Sequence, residues 1–111
     1  SGISLATKTI NNPVTKNEEA QIELALNAVV DGLRAYKKAC AEGSADKNCK
    51  INVAQIQVYT RQVEILVPRL RTFVDNNDQI NASVVYNQLI GLYSDVKKVA
   101  ANLGVTIGGA V

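Results

Sequence analysis

Three stretches of this chain carry apolar residues at alternating three- and four-residue steps without losing phase. The first is Ile22, Leu26, Val29, Leu33, Tyr36 and Cys40, and the second is Ile56, Tyr59, Val63, Leu66, Leu70 and Phe73. Val85, Leu89, Leu92, Val96, Val99 and Leu103 make the third. An α-helix returns to the same face about every 3.6 residues, so each row becomes a stripe that must be buried against a neighbour. The pattern predicts an all-α fold, a three-helix antiparallel bundle with helices at about 16–41, 49–75 and 78–103. An extended N-terminal arm (1–15) and an apolar C-terminal tail (105–111) flank a single bundle domain spanning 16–104. Two connections rich in turn residues favour a compact bundle over one long coiled coil.

The helix ends are written locally. Thr15-Lys16-Asn17-Glu18 has the capping-box spacing, in which the Thr hydroxyl and the Glu carboxylate each satisfy an orphan backbone N–H. Glu18, Glu19 and Glu23 then precede Arg34, Lys37 and Lys38, the order that complements a helix dipole. Asn76-Asn77-Asp78 predicts the second turn, with Asp78 or Asn81 capping the third helix, and Gly104 predicts a left-handed C-terminal cap. Pro68 falls inside the second stripe, whose phase passes through it unchanged, so a kink near Glu64–Val67 is expected and not a break. Ala25, Gly32 and Ala39 recur beside the first stripe and predict close approach of a neighbouring helix.

Cys40 ends the first stripe, and one heptad back from Ile56 lies Cys49. In an antiparallel hairpin these positions face each other beside a short polar loop, which predicts a Cys40–Cys49 disulfide. Two buried, reduced thiols are the alternative. A disulfide implies a periplasmic, cell-surface or secreted protein. The opening Ser1-Gly2 leaves room for a signal peptide or lipid anchor upstream, and in size and composition the chain resembles the soluble parts of small envelope lipoproteins. No window is long and apolar enough to be a transmembrane segment.

Few function classes fit. Histidine is absent, which removes the commonest general base and the usual partner of a Ser or Cys nucleophile. Two thiols without histidine leave a zinc ion short of ligands. Gly108-Gly109 precedes no helix and makes no phosphate loop, so neither cofactor nor metal is expected. Glu64, Asp31 and Asp95 read as solvated charges and not as a catalytic acid–base pair. Lys50, Arg61, Arg69 and Arg71 gather on the second helix, but Glu64 interrupts them and the net charge is only +2, so no nucleic-acid partner is expected. Tyr86 and Tyr93 flank the third stripe as rings packed at the core edge.

One row is unaccounted for. Ile51, Val58 and Ile65 also recur at heptad spacing, but on the wheel they point away from the core stripe, among Gln55, Arg61, Gln62, Pro68 and Arg69. A second apolar line usually covers something. The chain's own ends (Ile3, Leu5 and Ile10, or Val105 and Ile107) are one candidate for its partner. Another protein or a second copy is the next, and the wall of an apolar-ligand pocket the third. The functional expectation is a non-enzymatic interaction module, an adaptor, inhibitor or assembly subunit, with a carrier of a small apolar ligand as the alternative.

Overall fold

The structure is a computed structural model of the chain, and it describes residues 7–8, 12–43 and 46–105. Helix α1 spans Lys16–Ala41, α2 Cys49–Asp75 and α3 Gln79–Asn102. All three pairs of helices are in contact, which gives the three-helix bundle that the stripes predict. The bundle is slender, with principal extents of 49 × 26 × 17 Å.

Each stripe supplies its share of one core. Ile22, Leu26, Val29 and Leu33 of α1 meet Ile56, Val63 and Leu70 of α2 and Leu89 and Val96 of α3, all but fully buried. The stripes are wider than their seams. Val30, Val67, Val74 and Ala82 are buried as well, and the outer seam residues Tyr36, Tyr59, Leu66, Phe73, Val99 and Leu103 pack against the core while half exposed. Tyr86 and Tyr93 lie inside the core cluster, and the Lys97 ammonium sits 5.2 Å from the Tyr93 ring centroid. Burial raises the pKa of the Tyr86 phenol, and the nearby Glu18 charge adds to the effect.

The ends of the helices follow their local signals. Thr15 and Glu18 complete the capping box, with the Glu18 N–H donating to Thr15 Oγ1 at 3.1 Å and the Thr15 N–H donating to Glu18 Oε1 at 3.2 Å. Asp78 caps α3, accepting from the Asn81 N–H. Asp78 and Leu103 are therefore flanking caps and not helical residues, one residue inside the expected limits at each end. At the close of α2 the chain turns on Asn77 (φ +55°), where Asn77 N–H donates to Val74 O and Asp78 N–H to Phe73 O. Gly104 (φ +69°) makes the equivalent turn after α3, with Val105 N–H donating to Ala100 O at 2.9 Å. Both are Schellman closures, and the second lays Val105 against the core.

Helix α2 is continuous through Pro68. Pro68 and Glu64 are both exposed residues, on the side of the helix where water can replace the amide donor that proline lacks. The small-residue row is only partly used: Ala25 is fully buried, Gly32 half-buried and Ala39 exposed.

The N-terminal arm is anchored by α3. Gln79 Oε1 accepts from the Val14 N–H at 2.9 Å, and its Nε2 donates to the Val14 carbonyl at 3.3 Å. Two turns on, Asn87 does the same for Lys8, with both bonds at 2.7 Å. Each amide satisfies one residue's donor and acceptor together, as a neighbouring strand would. Between these clasps Val14 is 1% exposed and belongs to the core. The Lys8 ammonium also pairs with the Glu18 carboxylate. Burial pushes the Glu18 pKa up, but the Lys8 and Thr15 hydrogen bonds outweigh it and leave the group below its ordinary value. A depressed folded-state pKa gives stability that is present above the unfolded value of 4.5 and is lost as pH falls through the folded one. Acidification below pH 4.5 is therefore expected to lower the amide protection factor of Lys8 while the helical circular dichroism holds. Unchanged protection at pH 3 would remove the ion pair from the account of the arm.

Candidate interaction face

At the loop end of the first hairpin, Cys40 and Cys49 are joined with Cα atoms 5.7 Å apart. Beside the bridge, Asp46 accepts from the Tyr36 hydroxyl and from the Asn48 N–H, and those two bonds, in that order, hold its carboxyl below the usual range. Asn52 donates to the same Tyr36 oxygen at 3.0 Å, tying α1, the loop and α2 together. A shallow, mostly apolar hollow adjoins the bridge, lined in part by Lys37, Lys50 and Val53.

Of the carboxylates weighed as catalytic groups, Glu64 and Asp31 share one arginine as exposed charges, and Asp95 lies apart from them. Glu64 bonds Arg34 across the α1–α2 groove at 3.3 Å, Asp31 lies 3.9 Å from the same guanidinium, and Asp95 is exposed on α3. Among the described residues, no group of three His, Cys, Asp or Glu is placed to hold a metal. The cations of α2 do not share one face: Lys50 borders the hollow beside the disulfide, and Arg61 borders another with Val58 and Glu64. Arg71 is taken up by Glu19 and Glu23 of α1. Lys50, Arg61 and Arg69 have no ion-pair or hydrogen-bond partner among the described residues.

The second apolar row faces outward. Ile51, Val58 and Ile65 are 72%, 57% and 45% exposed. Ile3, Leu5, Ile10 and Ile107, which were candidates to cover it, lie outside the described residues. The row also borders something the sequence did not reveal. Ile65 stands on the rim of a groove between α2 and α3, with Gln62 and Leu66 on its own side and Asn87, Gln88, Gly91, Leu92 and Asp95 opposite. The α3 rim extends by helical spacing from Gly91 and Gln88 to Val84 and Ile80, which are exposed large apolar residues as well. The face is thus two ridges with an apolar-floored channel between them.

Gly91 has no packing neighbour at its missing side chain among the described residues. A Cβ built on it meets nothing within 4 Å, and its backbone is helical. Glycine in the middle of a helix costs about 1 kcal/mol relative to alanine. No contact among the described residues recovers that cost.

The chain matches no family model, no curated protein and no solved structure.

Proposed function

We propose that this protein is a non-catalytic interaction module working outside the reducing cytosol, as an adaptor, inhibitor or assembly subunit that binds another protein through α2. The single observation that carries the reading is the exposed Ile51–Val58–Ile65 row beside an open groove. Exposed aliphatic residues in register along a helix are the usual mark of a surface covered by a partner. The disulfide supports a periplasmic, cell-surface or secreted location, since such bridges persist in oxidising compartments. No described helix is long and apolar enough to cross a membrane.

The test is the double substitution Val58→Asp/Ile65→Asp. Both side chains are exposed, so the variant is expected to fold with stability within about 1 kcal/mol of the native chain. It is also expected to lose partners that the native protein captures from an extract of its source. Light-scattering mass of both forms then separates a foreign partner from a second copy. A variant that unfolds would show instead that the row is covered by the chain itself.

A further inference from the structure

The bridge between Cys40 and Cys49 stands in an electrostatically one-sided place. We propose that it is a site of thiol–disulfide exchange with a fixed direction, in which an external dithiol attacks Cys40 and Cys49 departs as a stabilised thiolate. The site shares no lining residue with the α2–α3 groove and goes beyond the interaction reading.

The two sulfurs sit at opposite ends of their helices. Cys49 is the first residue of α2, whose first turn holds no acidic side chain and whose N-cap, Asn48, makes no side-chain capping bond. The positive end of a helix stabilises an adjacent thiolate and lowers its pKa. Cys40 lies in the last turn of α1, where the carbonyl end disfavours one. Lys37 of α1 and Lys50 of α2 line the hollow that both cysteines border, and no carboxylate and no residue of α3 lines it. The acids of the adjoining loop are engaged elsewhere. Asp46 accepts from the Tyr36 hydroxyl and the Asn48 N–H, and Glu42 pairs with Lys38 at 3.9 Å. Both cysteines are only half-buried, so a thiolate can reach them. The Tyr36–Asp46 and Asn52–Tyr36 bonds hold the same end of the hairpin when the bridge is open.

The exchange moves two electrons. One thiolate of the dithiol bonds to Cys40 Sγ, the Cys40–Cys49 bond breaks, and its electron pair leaves on Cys49 Sγ. The donor's second thiol, deprotonated, then attacks the donor sulfur of the mixed disulfide and releases Cys40, which takes up a proton. The donor ends as a disulfide and the chain as a dithiol. Exchange is faster when the departing thiol has the lower pKa, so attack at Cys40 wins over attack at Cys49.

The experiment exposes the full oxidised chain to 2-mercaptoethanol at about pH 7, traps free thiols with N-ethylmaleimide and maps the products by peptide mass. The mercaptoethanol adduct is expected on Cys40 with maleimide on Cys49, in at least about fivefold excess over the reverse. After full reduction with dithiothreitol, Cys49 is expected to react with iodoacetamide at least about fivefold faster than Cys40, with the helical circular dichroism retained. Lys50→Glu places an acid in the first turn of α2, which favours the helix but repels a thiolate. It is therefore expected to hold Tm while cutting both ratios to about twofold or less.

Several results would overturn the proposal: adducts shared equally or gathered on Cys49, equal alkylation of the two thiols, or ratios that survive Lys50→Glu. A bridge that the folded chain withholds from both reagents would make it a staple alone. A reduced chain that loses its helices would overturn it as well, because the α2 N-terminus that holds the thiolate would be gone.

Discussion

Opening the Cys40–Cys49 bridge is expected to lower stability by about 2–3 kcal/mol, the entropy of closing so short a loop in the unfolded chain. For a domain of this size that corresponds to a fall in Tm of roughly 10–15 °C. The folded state is nevertheless expected to survive at room temperature. The core of all three helices lies below the bridge, and the Tyr36–Asp46–Asn52 bonds hold the same end of the hairpin without it. Thermal unfolding of Cys40→Ser/Cys49→Ser, compared with the native protein with and without reductant, measures the effect. The loss is expected to appear in Tm with little change in helix content at 25 °C. A variant already unfolded at 25 °C would mean that the bridge organises the hairpin itself. Equal melting of the two proteins would mean that the loop closes as readily without the bond.

The second large effect is expected at the arm, from Gln79→Met. The thioether keeps the length and bulk of the amide but removes both bonds to Val14, whose side chain is buried. A buried backbone donor and acceptor left unpaired cost about 1–3 kcal/mol, less whatever water can restore. The change should be local. Amide protection is expected to collapse at Val14 and Lys8, while the middle of α2 exchanges at the global rate. A uniform loss of protection over all three helices would show instead that the arm is part of the cooperative core. Asn87 offers the internal control, since its clasp on Lys8 is the outer one and its loss is expected to leave Val14 in place.

The contrast between these two sites shows which parts of the fold the amino-acid pattern reveals. Cys40 and Cys49 could be paired because each lies on a stripe with a fixed phase, and an antiparallel hairpin brings those phases together beside its loop. The capping box at Thr15, the Asp78 cap and the Gly104 closure were legible for a related reason: each is a short-range contact whose partners lie within a few residues. Gln79 and Asn87 carry no such signal. They are ordinary polar residues on a helix, and their partners Val14 and Lys8 are 65 and 79 residues away in sequence. Val14 itself stands outside any helical period, so its burial depends wholly on where the arm is clasped. The outward direction of Ile51, Val58 and Ile65 was legible, because a helical wheel needs only spacing. The groove beside them was not, since it depends on how α2 and α3 are rotated about each other. Gly91 makes the same point: only the assembled bundle shows that its missing side chain leaves open space.

The slenderness of the bundle has a hydrodynamic consequence. Its radius of gyration is 15.0 Å, against about 13 Å for a compact domain of the same length. Such a rod drags like a larger sphere, so a monomer will migrate through a gel-filtration column ahead of globular standards of equal mass. A partner laid along the flank of α2 would add to the girth and not to the length. The loaded protein would be rounder than the empty one, and its frictional ratio would fall as its mass rose.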